Sequence, residues 1–106
     1  MHVRETLELI ITSHALERLR DASRFPKVPE FALGQEVRLY HFRRSDTREL
    51  VWMCQIAGGF LVGVRRLTKR RQILIALTAI SREMFDRSRL VRLGCYRVTV
   101  DKITEQ

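Results

Sequence analysis

His14 and Arg18 stand four positions apart in the stretch Ile11-Thr12-Ser13-His14-Ala15-Leu16-Glu17-Arg18-Leu19. On a helix this spacing sets the two side chains one turn apart at neighbouring azimuths, with Glu17 beside them. A histidine near neutral pH can move a proton, and a guanidinium can stabilise charge that develops on a phosphate. A histidine at a helix start serves equally as a surface residue, so the pair does chemistry only if the fold brings it a substrate. His41 lies on the same side of an alternating stretch as Val37 and Leu39, which is the place of a half-buried ring. The histidines and cysteines, at positions 2, 14, 41, 54 and 95, lack the spacing of a zinc site. No GxxxxGK[ST], GxGxxG or GxSxG stretch occurs, so the chain shows neither a nucleotide-binding loop nor a hydrolase elbow, and neither metal nor cofactor is expected.

The second chemical signal is cationic. Of 20 Lys and Arg residues, 17 are Arg, whose planar fork of donors matches phosphate and carboxylate. Residues 1 to 36 hold five cations and six acids, whereas residues 37 to 106 hold fifteen and six. Arg65, Arg66, Lys69, Arg70 and Arg71 put five cations into seven residues, and Arg43, Arg44 and Arg48 form a second group. Such runs repel one another unless an anion meets them. Tyr40, Phe42, Trp52, Phe60 and Tyr96 are interleaved with arginines, the combination that lets bases stack while phosphates find cations. Tyr40 and Phe42 share a strand face with Arg38 and are the expected platform; Trp52 and Phe60 read as core. The expected nucleic-acid-binding set is therefore Tyr40 with Arg43, Arg44, Arg48, Arg65, Arg66, Lys69, Arg70 and Arg71.

Size bounds the rest. A chain of 106 residues with 45% hydrophobic content and a formal charge of +8 is expected to be one basic domain, residues 1 to 106, with a buried core. Two cysteines are too few for a disulfide framework, so reduced thiols are expected. No apolar run approaches a membrane span, and the N-terminus, Met1-His2-Val3-Arg4-Glu5, lacks the pattern of a secretory signal. A cytoplasmic protein with no membrane partner is the expectation. Its partner would be nucleic acid, with RNA favoured, or an acidic protein surface; a homodimer through an exposed strand edge is a third arrangement.

The elements that must position these residues follow from periodicity. Thr6 to Ile11 gathers β-branched and apolar residues as a strand, and Thr12-Ser13 offers an N-cap. From His14 to about Arg24 the apolar residues Ala15, Leu16, Leu19 and Ala22 fall on one helical stripe, which Phe25-Pro26-Lys27-Val28-Pro29 stops. Val37 to Arg43 alternates as a strand, and Leu50 to Ile56 and Phe60 to Arg65 form a hairpin through Gly58-Gly59. Residues 69 to 90 fit one long helix by spacing, but the four β-branched residues from Ile73 to Ile80 favour a strand, with Ser81 capping a short helix to about Arg89. Cys95 to Val100 alternates as a last strand. The expected fold is α+β: an N-terminal helix packed on an antiparallel meander sheet of four or more strands, with a second short helix and a C-terminal strand. Alternate turns of a meander leave the same end of the sheet, so residues 44 to 48 and 66 to 71 should share one rim.

The His-Ala-x-x-Arg helix start at His14, Ala15 and Arg18 after a strand end, followed by a meander closing with Ile75-Ala76-Leu77-Thr78-Ala79, resembles the RelE-like superfamily of small ribonuclease toxins and its phage and bacterial relatives. The likeness covers about residues 7 to 80. It implies metal-independent RNA cleavage, with a base on the ribose 2′-hydroxyl, an acid at the leaving oxygen and cations on the phosphate. His14 and Arg18 would match the motif residues, and Arg65, Arg66, Lys69 or Arg70 would clamp phosphate by position. The chain departs from the family after residue 80, and its last sheet strand offers Thr78 but no strong acid. A phage-encoded interaction module or inhibitor that docks without catalysis is the alternative reading.

Overall fold

Leu7, Leu9 and Ile11 lie on one side of strand β1 (Thr6–Ile11), and all three are fully buried. The strand ends at Thr12, whose hydroxyl donates to the Ala76 carbonyl at 2.8 Å and accepts from the Ala15 amide at 3.4 Å. Helix α1 (Ser13–Leu19) is thereby capped and tied to the neighbouring strand at its first turn. Periodicity carries this helix to about Arg24, but it stops at Leu19. The reason is local: the Asp21 carboxylate accepts from both the amide (3.0 Å) and the hydroxyl (2.7 Å) of Ser23, a turn that competes with helical hydrogen bonding. The computed structural model describes residues 5–69 and 71–106.

Strands β2 (Glu36–Arg44), β3 (Leu50–Ile56), β4 (Gly59–Leu67) and β5 (Gln72–Ser81) pair antiparallel in succession. Gly58, at φ +83°, supplies the left-handed residue of the β3–β4 turn. At Gly63 a Cβ would lie 1.8 Å from the Ile75 carbonyl oxygen, where the β4–β5 ladder takes an extra residue on β5. Ser81 caps helix α2 (Arg82–Arg87), and β6 (Leu90–Glu105) completes the chain.

The fold class read from the sequence needs correcting. In place of a helix layered on an open antiparallel meander, six mixed strands form a closed barrel in the order β1-β5-β4-β3-β2-β6, with 56% of the described structure in strands and 13% in helices. Strand β1 runs parallel to both of its neighbours, β5 and β6. The physical cause is the length of β6. Its first half pairs antiparallel with β2 and its second half parallel with β1. The long strand thus covers the β2 edge of the meander and joins it to β1, which covers the β5 edge.

The barrel interior is the core. Leu39, Cys54, Leu61, Leu74 and Val98 join the β1 side chains there, and α1 adds Ala15 and Leu19. A second apolar cluster sits on the outer side of β2 and β3, where Phe42, Met53 and Phe60 pack against Phe85 of α2.

Burial pushes the Cys54 thiol up to about 12, whereas Cys95 is exposed. One thiol per chain is therefore expected to react promptly with an aromatic disulfide reagent in the native protein, and the second only after denaturation. Two fast thiols would show that the barrel does not enclose Cys54.

Candidate nucleic-acid interface

The ladders line up one row of side chains across the barrel. Gly94 of β6 pairs with His41 of β2, His41 with Trp52 of β3, and Trp52 with Gly63 of β4. By the two-residue period of a strand, Tyr96, His41, Trp52, Arg65 and Gln72 continue the inner faces that carry Val98, Leu39, Cys54, Leu61 and Leu74 deeper in the core. Strand β1 joins β6 only from Thr99 onward, so among the described residues the first half of β6 has β2 as its one strand partner. At this end the interior is a curved, open sheet: Tyr96 is 46% exposed, and His41, Trp52 and Arg65 are half-buried.

Trp52 is the centre of the packing at this mouth. The His41 and Trp52 rings are parallel within 6° at 4.1 Å between centroids, and the Arg65 guanidinium carbon lies 4.5 Å from the Trp52 centroid. Strands β2 and β4 flank β3 on opposite sides, so the imidazole and the guanidinium take the two faces of the indole. Arg65 is held there by its Nε, which donates to Oε1 of the buried Gln72 at 2.6 Å. Tyr96 of β6 lies beside Trp52, at 6.4 Å between centroids and inclined 26°. Gly94 makes room for that ring, since a Cβ there would lie 3.0 Å from the tyrosine oxygen.

Burial, and then the charge of Arg65, hold the His41 imidazole below its ordinary range. Its Nε2 is buried and has no hydrogen-bond partner among the described residues. The neutral ring is the form that stacks beside a guanidinium.

Cations surround this mouth. The β2–β3 and β4–β5 connections leave the same end of the antiparallel meander. Arg43 pairs with Leu50, two residues before Trp52, and Arg65 lies two residues beyond Gly63. The Arg43 and Arg65 backbones are thus two strands apart at one level, about 10 Å. Arg43, Arg44, Arg48, Arg66 and Lys69 are exposed. Arg44 approaches Glu49 at 3.5 Å, but both side chains are exposed, so this pair leaves the guanidinium available. Arg71 is different: it reaches the buried Glu8 at 3.4 Å and Asp101 at 3.3 Å, a clamp that ties β5 to β1 and β6. Its charge is used inside the fold. Arg70 lies outside the described residues.

One expectation about aromatic residues needs correcting. Tyr40 faces the outer cluster, stacked on Phe42 at 5.6 Å and edge-on to Phe60 at 6.0 Å, with its hydroxyl donating to Gln55 Oε1 at 3.2 Å. It is half-buried and offers no open platform. Trp52, read as core, does pack against the core cluster, but it does so at the mouth, with the exposed Tyr96 beside it. The signal for them was parity: they share the inward face with Cys54 and Val98, but alternation does not say at which end that face opens.

His14 and Arg18 do come together, with the Arg18 Nε donating to His14 Nε2 at 3.4 Å. Helix α1 leaves the C-terminal end of β1, whereas the arginine turn precedes β5, which runs parallel to β1. The pair and the 65 to 71 cations therefore lie toward opposite ends of these strands, and no hydrogen bond or ion pair among the described residues joins them. Among the described residues no group of three or more His, Cys, Asp or Glu could hold a metal ion, and no helix is long and apolar enough to cross a membrane. No family model, curated protein or solved structure matches the chain.

Because native His41 loses its proton more readily than the unfolded chain does, the folded state binds fewer protons. Its contribution to stability is complete above pH 6.5, the ordinary value, and is lost as pH falls toward the native value. The melting temperature should fall between pH 7.5 and pH 5.5 by more in the wild type than in His41→Gln; equal falls would place the acid sensitivity elsewhere.

Proposed function

We propose that the chain is a small basic nucleic-acid-binding domain, directed at RNA, that binds through the mouth of its barrel. The observation that carries this reading is the meeting, at one end of the sheet, of an aromatic row with a rim of exposed cations: Arg43, Arg44, Arg48, Arg66 and Lys69. Cations neutralise phosphates and release their counterions, while aromatic rings offer surface that every base can use. Neither helix, at seven and six residues, is long enough to lie along a major groove, so among the described residues a helix-in-groove mode of DNA reading has no element to perform it. Exposed, curved sheet with rings and arginines suits the unpaired bases that dominate RNA recognition. Cleavage is a separate matter. The His14–Arg18 pair would have to act without the arginine rim, and binding is therefore the function placed first.

Salt titration tests the reading. If Arg43, Arg48, Arg66 and Lys69 each meet a phosphate, the logarithm of affinity for a single strand falls with the logarithm of salt at a slope near −3, about −0.7 per contact. Joint replacement Arg43→Ser, Arg48→Asn, Arg66→Ser and Lys69→Ser should flatten that slope and weaken binding at low salt, whereas an unchanged slope and affinity would reject this surface. Arg71→Ser should instead lower the melting temperature, because it leaves the buried Glu8 without its partner. RNA recovered from the same titrations reports cleavage; shortening abolished by His14→Ala would add a hydrolytic step at α1.

A further inference from the structure

Both faces of Trp52 are covered, one by His41 and the other by Arg65. Beside this stack stands Tyr96, which is 46% exposed and whose ring sits over Gly94. On β2, Arg43 lies next to this end, and its cross-strand neighbours Leu50 and Val91 are 58% and 41% exposed. A flat exposed ring beside a ready-made stack, bordered by aliphatic surface and the Arg43 guanidinium, is what an unpaired base with its flanking phosphate requires.

We infer that the mouth takes single-stranded nucleic acid, with one unpaired base stacked on Tyr96 beside the His41–Trp52 stack and an adjoining phosphate on Arg43. This inference rests on the nucleic-acid reading above and narrows it. A duplex has its base faces already covered by neighbouring base pairs, so a ring set into a curved sheet gains nothing from it. A single strand exposes those faces. Stacking also explains why Tyr96 is left exposed although its inner-face neighbour Val98 is fully buried. The row is preorganised before any ligand arrives, because Gln72 fixes Arg65, Arg65 covers Trp52, and Trp52 fixes His41.

The chain holds a single tryptophan, Trp52, which makes the row its own reporter. The test uses the full chain with an oligouridylate of about eight nucleotides, within the range a small barrel occupies, and a duplex of equal length. The single strand should change Trp52 emission and bind more tightly than the duplex. Tyr96→Leu, which keeps apolar bulk without a ring, should weaken single-strand binding roughly 5- to 150-fold. It should leave the duplex affinity and the salt slope unchanged, and Tyr96→Phe should bind as the wild type does. Equal affinity for single strand and duplex, or single-strand binding unaffected by Tyr96→Leu, overturns the inference while leaving a phosphate-binding rim in place. Absence of binding to both probes at low salt overturns the nucleic-acid reading itself. If Tyr96→Leu does not fold, as judged by its melting curve, Tyr96→His keeps a ring of smaller face, and its single-strand affinity should fall below that of Tyr96→Phe with the salt slope unchanged; affinity equal to that of Tyr96→Phe overturns the inference.

Discussion

Closure of the barrel by β6 is the constraint from which the rest follows. An open β2–β5 meander has two bare edges, and β1 alone could cover only the edge of β5. Because β6 runs for 16 residues, it pairs with β2 along its first half and with β1 along its second. Every strand then has a neighbour on each side in the core region, and the inward side chains meet in one interior. The Arg71 clamp to Glu8 and Asp101 strengthens the same junction from outside, joining β5, β1 and β6 through one guanidinium. A partly buried carboxylate is tolerable there because its charge is matched at hydrogen-bonding range.

The site is a by-product of how this closure is staggered. Strand β1 begins to pair with β6 at Thr99 and with β5 at Ile73, so it seals the interior at one level and not at the other. Below that level the inward positions are aliphatic and fully buried; above it the same faces carry Tyr96, His41, Trp52, Arg65 and Gln72. Stacking replaces hydrophobic enclosure as the packing interaction. Arginine can take part because its flat, weakly hydrated head covers an aromatic face while its edge remains able to donate. The neutral state of His41 belongs to the same arrangement, since an imidazolium beside Arg65 would add a second positive charge to a half-buried stack.

Much of the local structure was legible in the sequence. Alternation marked β2, the Gly58-Gly59 pair marked the hairpin, and β-branched and apolar content marked β1. The β-branched run from Ile73 to Ile80 marked β5 against the helical alternative. Ser81 marked the cap of α2. What could not be read was non-local. Parallel pairing of β1 leaves no trace in a strand of six residues, and the second half of β6, Asp101 to Glu105, carries too much charge to stand out as a barrel strand. Half of the site was lost for the same reason. Parity put Tyr40 and His41 on opposite faces of β2, but which face ends up open depends on where β1 stops, a fact of register. The charged clusters were plain, yet only the coordinates separate Arg71, spent on Glu8 and Asp101, from Arg43 and Arg66 on the rim.

The most direct measurement is a map of backbone amide shifts as a short single-stranded RNA is added to the isotopically labelled chain. The account predicts that the largest changes fall on Gly94, His41, Trp52, Gly63 and Arg65, which adjoin one another across four strands but are far apart in sequence. Changes centred on His14 and Arg18 of α1, or on the outer cluster around Tyr40 and Phe85, with the mouth unaffected, would contradict it.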